Sequence, residues 1–253
     1  MPGPAAILRQ ATLAGAALLA CGATSAQAQD SDRVTLGVGV IAAPGYQGSD
    51  DYRVLPAPII DVQIGRFFAG MNNGVGVHVI DTPDLKTGAS VTFVRGYRRG
   101  DLPDGLDTLA DAAGARLFAS ARLAGISAGI SATRSLGGTA GTVADLSLSY
   151  PIRSGERLML IPSVSTSWAS DKAMDRYFGI TAAEAQASGL DEFHTSAGFR
   201  DMTASMTANY RLSGRLSLVG MAGMTQLFDK AADSPMVKHR WRPMGLVGVT
   251  HRF

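Results

Sequence analysis

Four histidines, His78, His194, His239 and His251, are the side chains best suited to move a proton near neutral pH. A barrel-wall hydrolase would need such a base beside a serine and an acid. His78 lies opposite Val75, Val77 and Val79 by parity, so it points inward, but no local motif sets a serine beside it. The plainer reading is a lumen histidine bonded to its neighbours. His251 shares the outward face of Val247, Val249 and Phe253, and His194 and His239 are loop residues without metal-ligand spacing. Among the carboxylates, Asp50 and Asp51 and the loop acids Asp101, Asp104, Asp107 and Asp111 suit a divalent cation. No EF-hand spacing joins them, and solvated loop charge explains them more simply. Arg53 and Asp61 share one parity, and with Arg116, Arg122 and Asp145 they suit ion pairs inside a lumen. The tract Lys238-His239-Arg240-Trp241-Arg242 is basic and aromatic, suited either to lipopolysaccharide phosphates or to a solvated loop edge. The glycines of Gly37-Val38-Gly39 and Gly137-Gly138 resemble phosphate loops only superficially, because no helix follows either. No nucleophile–base pair emerges, so no catalytic, cofactor-binding or metal residue is assigned and no enzyme activity is expected.

The elements that would position these groups are strands. Met202, Ala204, Met206, Ala208, Tyr210 and Leu212 alternate with Thr203, Ser205, Thr207, Asn209 and Arg211. A period of two places the two sets on opposite faces of a β-strand. A Ser213-Gly214 turn then leads to Leu216, Leu218, Ala222 and Met224, which completes a hairpin. The polar face is small and neutral rather than charged. That suits the inside of a barrel whose apolar face meets lipid. Twelve such segments recur, at about 34–41, 52–63, 67–71, 74–80, 86–97, 115–123, 126–133, 143–150, 157–168, 202–212, from 215, and 243–253.

Their connections alternate in length. Long ones fall at 45–51, 98–112, 136–141, 170–195 and 229–242, and short ones at 64–66, 81–85, 124–125, 151–156 and 213–214. Long outer loops and short periplasmic turns are the habit of outer-membrane barrels. An even strand number sets both termini on the periplasmic side. A strand of about ten residues reaches ~33 Å, and tilted by about 40° it covers the ~25 Å apolar band. Two places break the pattern. Pro56 and Pro58 remove ladder donors from the second strand, which predicts a bulge, a locally open seam or a strand leaving the wall. Thr181-Ala182-Ala183-Glu184 reads as a capping box and Gly189 as a helix end, so one short helix is expected over about 182–188, resting on the barrel mouth or plugging it.

The chain's 253 residues suffice for one barrel, and a formal charge of +2 gives no bulk affinity for nucleic acid. Arg9, the apolar stretch 11–20 and Ala26-Gln27-Ala28 read as a secretory signal over 1–28, leaving a barrel domain over 29–253. Cys21, the single cysteine, lies within that signal, so a mature chain cleaved after Ala28 has no thiol. The rival is lipoprotein processing at Leu18-Leu19-Ala20-Cys21.

Several ordered segments together resemble a known family: 48–56 with Pro58 and Asp61, 177–181 with 187–190, Asp233-Ser234-Pro235 with Val237, and the terminal Arg252-Phe253. The chain is similar over about 34–253 to the MipA/OmpV outer-membrane proteins, the MltA-interacting proteins. His251 departs from that pattern, which usually has an aromatic residue before Arg-Phe. The resemblance implies an antiparallel transmembrane β-barrel in the cell outer membrane of a Gram-negative envelope. It implies contact with outer-membrane lipid and lipopolysaccharide, and insertion by the barrel-assembly machinery through Phe253. It also implies a scaffold that links a lytic transglycosylase to a penicillin-binding protein of peptidoglycan synthesis. A narrow solute pore, or an osmotic or adhesion-related protein, is the alternative. The family offers no catalytic residues to carry over.

Overall fold

A computed structural model describes residues 32–71 and 73–253; the expected signal over 1–28, with Cys21, lies outside the described residues. The chain forms β1 (Arg33–Pro44), β2 (Tyr52–Ile64), β3 (Phe67–Gly70), β4 (Gly74–Asp81), β5 (Leu85–Val94), β6 (Ala112–Leu123) and β7 (Ile126–Ser135). It continues with β8 (Thr142–Ser149), β9 (Ile152–Ser154), β10 (Leu158–Ala169), β11 (Gly198–Arg211), β12 (Leu216–Leu227) and β13 (Trp241–Arg252). Each strand pairs antiparallel with the next, except that β8 and β9 both pair with β10, and β13 pairs back onto β1 from Thr35↔Arg252 to Ala42↔Gly245, which closes the barrel. β8 covers Ser163–Ala169 of β10, and the three-residue β9 covers Leu158–Leu160 of the same strand. Tyr150 and Pro151 interrupt what is one stave of the wall, so thirteen assigned strands make the expected twelve-stranded barrel.

Period-two alternation decides which face each residue takes. Leu36, Val38 and Val40, Val91 and Phe93, Met202 and Met206, and Val247 and Val249 all stand exposed on the outside. Ser90, Ser131, Thr133, Thr225 and Thr250 are buried on the inside. An apolar exterior round a small polar interior is the inverse of a soluble sheet protein and fits a lipid solvent. Among the described residues no helix is long and apolar enough to cross a membrane. The short turns are tight. Ala124 and Gly125 both have positive φ, 50° and 84°, the conformation of a two-residue hairpin turn whose twist matches its strands.

The two prolines sit where the wall is incomplete. β2 pairs with β1 along its whole length, through Val40↔Pro56 and Val38↔Pro58 without a register shift. With β3 it pairs only from Asp61↔Gly70 to Ile64↔Phe67. The anticipated open seam is therefore present, and a bulge between β1 and β2 is not.

The helix content corrects the sequence expectation. The expected helix is there as α2 (Ala182–Ser188), with its Thr181–Glu184 capping box and Gly189 in the left-handed conformation at φ 74°. Among the described residues two more α-helices accompany it, α1 (Asp171–Phe178) and the four-residue α3 (Asp229–Ala232). In α1 the buried residues Ala173, Met174 and Phe178 form one stripe, a spacing that is present in the sequence.

Candidate functional site

The most deeply buried side chains of this barrel are not in its wall. Met174, Phe178 and Ile180 have no exposed surface, and all belong to the segment between β10 and β11. They sit in two touching clusters that cap the outer mouth. One joins Ala173, Met174 and Phe178 to Ala169, Leu227, Ala231 and Ala232. The other joins Ile180 to Tyr46, Tyr97, Leu106, Leu109 and Met236, and Tyr177 and Val237 pack against both. Four separate loops, 45–51, 95–111, 170–197 and 228–240, thus share one conventional hydrophobic core.

Hydrogen bonds fix the loops to one another. The Tyr177 hydroxyl accepts the Gln47 N–H at 3.1 Å, and the Tyr97 hydroxyl donates to the Tyr177 carbonyl at 3.2 Å. The Tyr46 hydroxyl donates to the Met236 carbonyl at 2.8 Å, and Ser234 Oγ donates to the Phe178 carbonyl at 2.6 Å. Glu184 completes the α2 cap and also accepts the Asp107 N–H at 3.0 Å, tying α2 to the β5–β6 loop. Close approach needs a glycine at Gly141: a Cβ there would lie 2.5 Å from the Cα of Ala173. Burial pushes the Tyr46 phenol up to about 12, with Asp50 and Asp51 adding to the effect, and burial raises Tyr97 and Tyr177 as well.

Beneath the cap lies a cavity of about 510 Å³, lined in part by Tyr177, Arg95, Arg116, Asp145, Arg200 and Arg242. A register shift opposite Ser167 and Trp168 lets Arg200 and Asp201 both turn inward, where Arg200 Nε meets Asp201 Oδ2 at 2.6 Å. Asp145 accepts from Ser131 and Ser167 at 3.1 and 2.9 Å and lies 3.8 Å from Arg116 Nη2. Arg242 is 7 % exposed, and its Nε has no hydrogen-bond partner among the described residues.

A second cavity, of about 940 Å³, opens nearer the short turns, among Arg33, Asp61, Gln63, His78, Asp81 and Arg122. His78 points inward as its parity requires, stacked on Phe68 at 4.6 Å between ring centres. A register shift between His78 and Ile80 brings Asp81 to the same face, 3.4 Å from His78 Nδ1, and Lys86 meets Asp81 at 2.9 Å.

The other singled-out residues separate rather than converge. Arg53 pairs with Asp101, whereas Asp61 pairs with Arg33 at 3.1 Å. Asp111 accepts the Gly96 N–H at 2.8 Å, and Asp50 pairs with Lys238 at 3.1 Å, which holds its carboxyl below the usual range. Among the described residues no group of acids and histidines is placed to hold a metal. His194 lies between Asp175 and Glu192 at 3.2 and 3.3 Å, which raises its pKa. His251 packs edge-on to Phe253 at 4.5 Å. The basic tract 238–242 divides: Lys238 and Arg240 pair with exposed Asp50 and Asp233, while Arg242 turns into the barrel. Sequence reading set Arg242 in the last outer loop. Its parity with Gly248 and Thr250, both buried, was the signal that placed it inside.

A closed twelve-stranded wall with an apolar exterior, short turns at one end and a cap at the other defines an outer-membrane β-barrel. The chain belongs to the MltA-interacting protein MipA family, whose model matches residues 36–253. It is 29% identical over 113 residues to YiaT of Escherichia coli (strain K12), whose name assigns it to the outer membrane. The match spans 45% of this chain and 45% of that relative, so the chain aligns with about half the length of the curated protein. Among solved structures, the Pseudomonas putida toluene transporter TodX is 12% identical with a TM-score of 0.41, over 89% of this chain and 90% of that one. The anion-selective porin from Comamonas acidovorans is 14% identical with a TM-score of 0.37, over 78% and 60%. These are likenesses between barrels too distant to say what this one carries.

Proposed function

We propose that this protein is a non-enzymatic scaffold of the cell envelope that holds a lytic transglycosylase of the MltA kind, and with it a penicillin-binding protein, at the periplasmic face of the outer membrane. The family description names an interaction with MltA, which supports the first of these partners. The observation that carries the reading is the contrast between the two ends of the barrel. The outer mouth is filled by a packed cap, which is poor architecture for a general solute pore. The opposite end keeps a free surface: every residue of β9 is exposed, and the exposed Leu123, Ile126 and Phe253 lie at the strand ends of that rim. The area is small, so weak and transient binding is expected. On this reading residues 1–28 are a cleaved export signal, Phe253 is the handle for barrel assembly, and Lys238 and Arg240 face lipopolysaccharide.

The test is a pull-down of the detergent-folded protein from an envelope extract, read by mass spectrometry, beside a variant with 152–157 replaced by a two-residue turn. Enrichment of a murein transglycosylase or synthase that falls with the variant supports the scaffold. Equal recovery by an unrelated barrel overturns it. A narrow pore is the second reading, favoured by the arginine-lined cavity, and single-channel conductance in a planar bilayer separates the two.

A further inference from the structure

The wall has a window, and the backbone is built to keep it open. The Phe253 N–H donates to the Val34 carbonyl at 2.9 Å, so in the β1–β13 register Val34, Val38 and Val40 turn their backbone groups toward β13. Their partners on β2, Pro58 and Pro56, must therefore turn theirs away from β1. The same result follows from the other side. The His78 N–H donates to the Arg66 carbonyl at 2.8 Å, which sets Phe67 and Ala69 toward β2 and Ile64 and Val62 toward β3. Ile60, Pro58, Pro56, Val54 and Tyr52 share that parity and face the same side. β3 ends at Gly70, so over 52–60 this edge has no strand beside it among the described residues. An unpaired N–H in a bilayer is costly. The two prolines remove two of the five from the edge, and they also make it a poor template for an added strand.

The window has a frame. Below it lies the β3–β4 turn with Met71, and opposite stands the end of β5 with Phe93. Above it, Arg53 is ion-paired with Asp101 and donates to the Gly100 carbonyl at 3.3 Å, which fastens the β5–β6 loop to β2. Two missing strands leave β2 and β5 about three strand spacings apart, ~14 Å. The cavity of about 510 Å³ reaches from this frame to the lumen: outward-facing Met71 and Phe93 line it together with Arg116, Arg200 and Arg242. Its charge is unbalanced. Arg200 is engaged by Asp201, and Asp145 is the single carboxylate among the lining residues. Arg116 and Arg242 each keep a buried Nε without a hydrogen-bond partner among the described residues, and both belong to that lining.

We propose that this window admits a single-chain amphiphile with an anionic head from the outer leaflet, the head seated on Arg242 and Arg116 and the alkyl chain lying against Met71 and Phe93. An anionic head answers the surplus guanidinium charge, and an alkyl chain suits an opening that faces lipid. The inference stands apart from the scaffold reading, since the periplasmic turns take no part in it.

The test uses the full chain folded in phosphatidylcholine nanodiscs with dansyl-labelled undecanoate as the probe. Saturable blue-shifted emission is expected, displaced by dodecanoate but not by acetate, inorganic phosphate or dodecanol. Arg242→Gln should weaken binding by about tenfold or more, as the loss of one charge-assisted contact implies. To test the route, Val54→Cys and Phe93→Cys, both outward-facing, are bridged by a bis-maleimide in a Cys21→Ser background, which should slow uptake relative to the same protein left unbridged. Displacement by inorganic phosphate alone would mean a free-anion site and overturn the proposal, as would unchanged binding in a folded Arg242→Gln protein. Unchanged uptake through the bridged wall would overturn the window as the path. That arm does not depend on Arg242→Gln folding.

Discussion

The phenol oxygen of Tyr177 accepts the backbone N–H of Gln47 at 3.1 Å, across 130 residues of chain. The contact joins the first outer loop to the first helix of the cap, and the Tyr97 ring stands edge-on to the same Tyr177 ring at 5.1 Å. Tyr177→Phe keeps the ring and leaves the Gln47 donor unmatched, a loss of about 1–3 kcal/mol if water does not replace it. The expected outcome is faster proteolysis of the 45–51 loop with an unchanged heat-modifiable barrel band on gels. Equal cleavage rates in the two proteins would remove the bond from the account.

Phe178 carries more. It is fully buried between α1 and the ends of β10 and β12. Phe178→Ala should cost the cap about 3–5 kcal/mol, the range for a buried ring reduced to a methyl group. The wall meets this core only through the ends of β8, β10 and β12, so the cap should melt before the barrel. Single-channel recordings should then show openings that the parent protein lacks.

The cap should loosen at both ends of the pH scale. Glu184 is held below the usual carboxylate range by bonds from Thr181 and Asp107, against the opposing effect of burial. Its contribution is present above the ordinary glutamate range and is lost as pH falls through its depressed value. His194 is raised by its bonds to Asp175 and Glu192, so its contribution is present below the ordinary histidine range and is lost as pH rises through the raised value. Protection of the 170–197 amides, taken relative to their intrinsic exchange rate at each pH, should be greatest between these limits. Glu184→Gln should flatten the acid side and His194→Gln the neutral side.

The three cap tyrosines should resist base. The Tyr46 phenol is pushed up to about 12, and Tyr97 and Tyr177 rise for the same reason, burial. Neutral phenols stabilise the cap below the ordinary tyrosine range, and that contribution is lost as pH rises through their raised values. Absorbance titration should show a late phase of phenol ionisation that is lost when Tyr46, Tyr97 and Tyr177 are replaced by phenylalanine. Absence of that late phase would mean that the cap is open in solution.

Replacing Pro56 and Pro58 by alanine returns two N–H groups to an edge without a partner strand. In lipid each should destabilise the barrel by about 1–3 kcal/mol. Urea titration of vesicle-inserted protein measures it. A gain in stability would show that the edge is paired after all.

The wall was legible because two-residue alternation is local: Met202 to Leu212 names both faces without reference to any other strand. The inward turn of His78 followed from the same rule, and so did the difficulty at Pro56 and Pro58. What escaped was non-local or locally ambiguous. In α1 the residues Met174 and Phe178 stand four apart, as core residues of a helix do, but the pattern covers only two turns. The Arg200–Asp201 pair depends on a register shift between β10 and β11, which neither strand announces. The segregation of Arg53 from Asp61 rests on a loop residue, Asp101, reaching back to β2.

The bond from the Tyr46 hydroxyl to the Met236 carbonyl spans 190 residues. Those two loops leave β1 and enter β13, the strands whose pairing shuts the barrel. The cap core therefore cannot assemble while the first and last strands are apart. Its closure entropy is met only once the wall supplies the proximity. In time, then, the cap is the final structure to form, and its protection from protease or exchange dates the moment at which the two ends of the chain met.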